Sequence, residues 1–298
     1  MTLPSLLLLA LAQATPAPGL VFSAETSLVN VSVAVEDGRG QPVAGLAARD
    51  FVVVEDGKRR SVELCAQVGG RGSERATALD VALLVDTSDS MLETLRRSQE
   101  AATRFLSDLP NTQDRLVVLF DQAQRLDRFD PEHPGELFER LARIPDGGNT
   151  ALRDAVAFTL KNLGASGGRS AIVLLTDGVD TVSQVSVATM EKAVQSKAVV
   201  IYPIAYPPPP GADGPGPQEA AKTLERLAEI SGGRMFRLAS EASLPAALEE
   251  ILADLKAQSV LGFTPSEGGP RGRLRKIQIK VSGRGKTVVR HRLGYRLD

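Results

Sequence analysis

Hydrophobic residues along this chain follow two different rhythms. At residues 28–36 valines occupy every second position, a period of two that is typical of a β-strand with one buried face. Short segments of the same kind are predicted at 51–54 and 60–64, with turn residues between them. The pattern returns at 277–281 and 287–292, near the other end of the sequence. Both ends of the chain are therefore predicted to form antiparallel β structure.

Between residues 79 and 257 short apolar runs alternate with longer segments of helical period. Strands are predicted at 80–86, 115–120, 170–176, 198–204 and 234–236, with an antiparallel edge strand at 124–129. Helices are predicted at 91–109, 135–143, 151–163, 185–195, 219–230 and 242–256. This alternation is typical of an α/β domain with a doubly wound, mostly parallel sheet, similar to the Rossmann fold. Pro203 is expected to cause a bulge or an early end of its strand.

Neither terminal β segment is long enough to bury a core of its own. We therefore expect the two segments to combine into one small β-sandwich, with the α/β domain inserted between its halves. The predicted organisation is a signal peptide at 1–14, the N-terminal half of the sandwich at 24–68, the α/β domain at 78–257 and the C-terminal half at 258–298.

Oxygen-bearing side chains follow the first buried strand of the α/β domain. Asp86, Ser88 and Ser90 come directly after an apolar run, where an open α/β sheet collects its ligands. Carboxylate and hydroxyl oxygens at this spacing suit one hard cation. The alternative is that Asp86 and Ser88 only cap the helix that begins near Met91.

This Asp-x-Ser-x-Ser pattern resembles the metal-ion-dependent adhesion site (MIDAS) of von Willebrand factor A (VWA) domains. The resemblance implies that Thr150 and Asp177 complete the set of ligands. Asn149 separates Thr150 from the preceding glycine pair, which leaves the alternative that Thr150 only caps the following helix. Residues 40–46 and the pair Asp50-Phe51 also resemble motifs of a bacterial VWA-related family.

A site of this composition favours Mg²⁺, with Mn²⁺ or Ca²⁺ as alternatives, because Mg²⁺ accepts oxygen ligands and retains water readily. Its neutral hydroxyl ligands leave positive charge for an external carboxylate. The expected partner is therefore a protein that supplies an acidic side chain to the metal.

The net charge of −1 gives no reason to expect nucleic acid as a partner. The sequence has two histidines, His133 and His291, and neither belongs to a recognisable catalytic motif. We therefore expect a binding protein that is not an enzyme. The alternatives are a structural envelope scaffold that needs no metal and a metal-dependent hydrolase.

Residues 3–12 are almost wholly apolar and are followed by small residues, as in a secretory signal with its cleavage site. No later stretch is long and apolar enough to predict a transmembrane segment. We expect an exported protein that is periplasmic or extracellular.

Overall fold

The computed structural model describes residues 28–68, 74–110, 112–135, 148–164, 168–207 and 215–297. The predicted signal peptide at 1–14 and most of the helix predicted at 135–143 lie outside these residues. Within them, no helix is both long enough and apolar enough to cross a membrane.

The described residues form β-strands at both ends of the chain and alternating strands and helices between them. The strands are β1 (Val29–Asp37), β2 (Phe51–Glu55), β3 (Lys58–Arg60), β4 (Leu64–Gln67), β5 (Leu79–Asp86), β6 (Thr112–Phe120), β7 (Gln124–Arg128), β8 (Arg169–Thr176), β9 (Val199–Ala205), β10 (Phe236–Arg237), β11 (Ser259–Phe263), β12 (Leu274–Val281), β13 (Thr287–His291) and β14 (Gly294–Arg296). The helices are α1 (Glu74–Thr77), α2 (Leu92–Ser107), α3 (Leu152–Asn162), α4 (Val187–Ser196), α5 (Pro215–Ser231) and α6 (Leu244–Ala257), with 3-10 turns at Ala48–Asp50 and Glu241–Ser243.

The centre of the chain is a six-stranded sheet in the order β10-β9-β8-β5-β6-β7. All neighbouring strands are parallel except β7, which pairs antiparallel with β6 at the edge. Every residue of β5 is buried, as expected for a central strand with helices on both faces. Leu106 of α2 and Ile251 of α6 pack on one face, and Leu152 of α3 and Leu224 of α5 on the other. The prediction of a doubly wound α/β sheet is confirmed.

Two local predictions are wrong. Pro203 does not interrupt its strand, because β9 continues through it in regular register with β8. On its other side β9 pairs with β10 only at Ile204 and Ala205, so most of β9 is an edge, where proline is tolerated. The strand predicted at 60–64 is split into β3 and β4, because the chain crosses from one sheet to another there.

The two ends of the chain build two further antiparallel sheets, in the orders β13-β1-β11-β4 and β14-β12-β2-β3. β1 pairs with both β11 and β13, and β2 pairs with β12, so each sheet contains strands from both ends. Val31, Val53, Phe263, Ile277 and other buried apolar residues fill the space between the sheets. The N- and C-terminal segments thus share one core.

Glu55 is a carboxylate buried in this core. It accepts hydrogen bonds from the side chains of Tyr295, Ser266 and Arg275, and pairs with Arg60 at 2.7 Å. Burial alone would raise the pKa of Glu55, but these hydrogen bonds outweigh it and lower the pKa to about 2. Glu55 is therefore ionised and fully satisfied at neutral pH.

A buried polar network joins the α/β domain to the β-sandwich. The Asp254 carboxylate, near the end of α6, accepts a 2.5 Å hydrogen bond from the Tyr202 hydroxyl and pairs with Arg290 of β13 at 2.6 Å. Gln258 donates to Tyr202 at 2.6 Å and accepts from Arg169 at 3.3 Å. Buried polar groups are costly unless they are paired, so this network favours one arrangement of the two modules.

Candidate metal centre

Asp86 is the last residue of β5 and is completely buried. Its Oδ1 accepts the Ser88 backbone N–H at 3.0 Å, and its Oδ2 accepts the Thr176 hydroxyl at 2.6 Å. Thr176 ends the neighbouring strand β8, and its hydroxyl also accepts the Gly178 N–H at 2.9 Å. The carboxylate is therefore held from two adjacent strand ends.

Ser90 connects the loop after β5 to the loop after β8. The Ser90 Oγ lies 3.4 Å from the Ser88 Oγ and donates a 2.7 Å hydrogen bond to Oδ2 of Asp177. The Asp177 Oδ1 accepts the Val179 N–H at 3.0 Å, which fixes the carboxylate in its turn. The structure thus brings Asp86, Ser88, Ser90 and Asp177 together at the carboxyl edge of the sheet.

Thr150 lies in the loop before α3 and is buried. Its backbone N–H donates to the Thr181 hydroxyl at 2.9 Å, and its carbonyl accepts the Thr181 N–H at 2.9 Å. These bonds tie its loop to the turn that follows Asp177. Among the described residues, the Thr150 hydroxyl makes no hydrogen bond to the other four predicted ligands. Its proposed ligand role therefore depends on its loop position alone.

The start of α3 is not capped by Thr150. The N-cap of α2 is Met91, and the N-cap of α3 is Ala151; neither makes a side-chain cap bond. The backbone N–H of Arg153 at the start of α3 has no partner within the helix and donates to Oδ2 of Asp180 at 2.9 Å. Capping by Thr150 is therefore not observed, because Asp180 from a distant turn takes that role.

Three residues support the predicted ligands. Thr176 was not singled out in the sequence, where it looks like an ordinary strand residue. Asp89 and Asp180 lie close to the ligands in sequence, which left open either contacts that support the ligands or a solvated turn position. In the structure Asp89 accepts the Gly148 N–H at 3.1 Å, which holds the Thr150 loop beside the Asp-x-Ser-x-Ser turn. Their position next to predicted ligands at strand ends was the available signal.

The electrostatics of the centre fit a cation. Burial raises the pKa of Asp86 to about 6, and the nearby Asp177 charge adds to the rise, while hydrogen bonds from Ser88 and Thr176 lower it. A buried carboxylate beside a second one is stabilised in its ionised form by a positive charge.

The side chains of the centre indicate which class of metal ion it could bind. No group of three or more His, Cys, Asp or Glu side chains that could hold a metal occurs in the described part of the chain. The centre offers two carboxylates and serine hydroxyls, all of them hard oxygen donors. Such a set fits Mg²⁺ that keeps part of its water shell better than an ion that requires thiolate or imidazole ligands.

A known family model and several solved structures are similar to this chain. The family model of the von Willebrand factor type A domain matches residues 80–251. A von Willebrand factor type A protein from Catenulispora acidiphila is 15% identical, with 93% of this chain and 75% of that chain covered and a TM-score of 0.46. No curated protein matches the chain.

Two further solved structures are similar over part of the chain. The conserved hypothetical protein BatB from Bacteroides thetaiotaomicron is 16% identical, with 58% of this chain and 97% of that chain covered and a TM-score of 0.44. Proximal thread matrix protein 1 from the mussel byssus, whose structure has a zinc-occupied MIDAS motif, is 17% identical, with 66% and 48% covered and a TM-score of 0.48.

Proposed function

Because the chain belongs to the von Willebrand factor type A domain family, we propose that it is an exported binding protein that recruits a protein partner through a divalent cation. The observation that carries this proposal is the hydrogen-bonded series from Asp86 through Ser88 and Ser90 to Asp177. It gathers hard oxygen donors from two loops at one edge of the sheet.

Asp86, Ser88, Ser90, Thr150 and Asp177 are the residues proposed to hold the ion. Mg²⁺ is the proposed ion, with Mn²⁺ or Ca²⁺ as alternatives. When bound, such an ion would supply a coordination position for a carboxylate oxygen of the partner. Thr176 and Asp180 are not proposed as ligands. Thr176 orients the Asp86 carboxylate, and Asp180 binds the start of α3.

We propose binding rather than catalysis because neither histidine of the sequence belongs to a recognisable catalytic motif. His133 pairs with Asp130 at 2.9 Å in an exposed loop. His291 accepts the Ile279 N–H at 3.1 Å in the β-sandwich.

Metal binding is tested by following thermal unfolding during a Mg²⁺ titration. A ligand that binds only the folded state stabilises it by about 2.7 kcal/mol at 100 times its Kd. Wild type is expected to gain stability with Mg²⁺, and Asp177→Asn to lose this gain. Asp108→Asn is the matched control, since it removes the same charge from an exposed position at the C-terminal end of α2, away from the predicted ligands. An equal response of wild type and Asp177→Asn would refute the assignment.

Partner recognition is tested with two peptide pools. The acidic pool contains Asp and Glu, and the neutral pool has Asn and Gln at the same positions. The protein is expected to bind the acidic pool in Mg²⁺ and to release it in EDTA. Equal binding of both pools, or binding that survives EDTA, would exclude carboxylate capture through a metal.

Export is tested separately by expressing the full chain in a bacterial host and determining the N-terminal sequence of the protein by mass spectrometry. A product in the periplasm or medium that begins after residue 14 is expected. A cytoplasmic product that retains residues 1–14 would contradict export.

A further inference from the structure

A cavity of about 300 Å³ lies between the α/β domain and the β-sandwich. We call it the junction cavity. It is lined by Ser170 and Val199 at the starts of β8 and β9, by Leu160 of α3, and by Asn30 and Arg292 of the sandwich. The starts of parallel strands lie at the opposite edge of the sheet from Asp86 and Asp177, so this cavity is separate from the candidate metal centre.

The lining of the junction cavity combines apolar walls with positive charge. Leu28, Leu160, Leu163, Val199 and Leu297 supply apolar surface. Its charged lining residues are cations, namely Lys197, Arg292 and Arg296. No Asp or Glu among the described residues lines it. The Asp80 carboxylate lies close to the lining residue Gly164 but is not itself part of the lining.

Arg292 is the central feature of this lining. It is only 8% exposed, and its Nη2 donates to the Asn30 carbonyl at 2.8 Å. Its Nε is buried without a hydrogen-bond partner among the described residues, none of which pairs a carboxylate with this guanidinium. The guanidinium lies 5.3 Å from the centre of the Tyr295 ring.

A buried cation without a counter-ion is costly. Burial lowers the pKa of Arg292 to about 10, although the nearby Tyr295 opposes this effect. The neighbouring Arg290 shows the contrast, because it pairs with both Glu36 and Asp254. Arg296 is also satisfied, since it donates to Gln195 and to the Gly272 carbonyl. Arg292 is therefore a buried lining cation whose described acceptor, the Asn30 carbonyl, carries no net charge.

We propose that the junction cavity binds a small organic monocarboxylate with an apolar chain, whose carboxylate pairs with Arg292. The apolar chain would lie against Leu160, Leu163 and Val199. The volume of the junction cavity is at the lower end of the range for ligand pockets. The cavity therefore fits a fatty acid of medium chain length better than one with a long chain. A ligand there would contact both modules and stabilise their junction.

Calorimetry with three probes tests this class of ligand: octanoate, 1-octanol and inorganic phosphate. Octanoate is expected to bind with a Kd on the order of 0.1 to 1 mM. Octanol lacks the charge and phosphate lacks the chain, so each is expected to bind at least about tenfold more weakly. The proposal would be overturned if octanol or phosphate bound as tightly as octanoate. It would also be overturned if octanoate did not bind.

Variants test the location. Arg292→Met keeps the apolar stem and is expected to weaken octanoate binding at least about tenfold. Ala198→Trp fills the rim of the cavity and leaves Arg292 in place. It is expected to weaken octanoate binding as much as Arg292→Met does. Arg59→Met, in the exposed strand β3, is the control with the same charge change and should bind as wild type. Unchanged binding by folded Arg292→Met or by Ala198→Trp would overturn the assignment.

Asp298 follows Leu297 and lies outside the described residues, so it requires its own test as a competing carboxylate. Asp298→Asn is expected to bind octanoate within about twofold of wild type. A gain of about tenfold or more would show that the chain's own carboxylate already pairs with Arg292, and would overturn the proposal.

Discussion

The Thr176 hydroxyl donates a 2.6 Å hydrogen bond to the Asp86 carboxylate, and both side chains are completely buried. This bond joins the ends of the neighbouring strands β5 and β8. It occupies Oδ2 of Asp86, while the Ser88 N–H occupies Oδ1. The orientation of the proposed metal ligand is therefore set by a residue that is itself not proposed as a ligand.

Thr176→Val removes this hydroxyl with little change in volume. We expect a loss of about 1 to 3 kcal/mol in the free energy of unfolding, because Asp86 and the Gly178 N–H each lose a partner. We also expect Mg²⁺ affinity to fall by about tenfold or more, since the ligand is no longer oriented. Urea unfolding and Mg²⁺ titration measure the two effects. Thr159→Val, which removes a buried hydroxyl bonded to the Ala155 carbonyl in α3, should lower stability without changing Mg²⁺ affinity.

Asp254→Asn should destabilise the protein by about 2 to 3 kcal/mol, because Arg290 and Tyr202 lose a buried charged partner. Denaturant unfolding at pH 7 measures the loss. Glu225→Gln breaks the exposed pair with Arg237, whose side chains are 52% and 60% exposed, and should cost less than about 1 kcal/mol. Equal losses in the two variants would contradict the proposed importance of the junction network.

His291 should make stability depend on pH. Burial lowers its pKa below 6.5, although its hydrogen bond to the Arg292 carbonyl opposes the shift, and protonation would remove the acceptor of the Ile279 N–H. The contribution is present above about pH 6.5, the unfolded value, and is lost as pH falls through the folded pKa. Urea unfolding from pH 7.5 to 5.5 should show a smaller loss in His291→Gln than in wild type. His133→Gln should behave as wild type.

Gly233→Ala should destabilise the protein by at least about 2 kcal/mol, because the new Cβ would lie 1.9 Å from the Ile201 carbonyl oxygen in β9. Thermal unfolding measures the effect. Gly285→Ala is the control, since its Cβ would meet nothing within 4 Å. A Gly233→Ala protein as stable as wild type would mean that the segment after α5 moves away from β9 easily.

The sequence predicted the α/β architecture because buried parallel strands are runs of apolar residues and their helices have a distinct period. The uninterrupted run that ends at Asp86 is the clearest example. Predictions failed where the structure of a segment depends on which strands lie beside it. Pro203 is tolerated because β9 is largely an edge strand. Residues 60–64 do not form one strand because the chain crosses between two sheets there. Neighbours in a sheet are not encoded by local pattern.

The candidate centre was predictable only in outline. Asp86, Ser88 and Ser90 were recognised by their position after a buried strand, and Asp177 through the resemblance to the MIDAS motif. The structure brings these four residues together. Thr176 was missed as a supporting residue, and Asp180 could not be distinguished from a solvated turn residue, because their roles depend on which distant loops meet. The buried charges of Glu55 and Arg292 were also not apparent, since in an alternating strand a charged residue usually faces solvent. The ligand roles themselves stay predictions.

The pairing of β1 with β13 has a consequence for the order of events during synthesis. Glu36 meets Arg290, which lies 254 residues further along the chain. At about 5–20 residues per second, a ribosome needs roughly 10 to 50 s to make the intervening segment. β1 therefore remains without β13 until residues 287–291 have been made, and by then the α/β domain has already been synthesised.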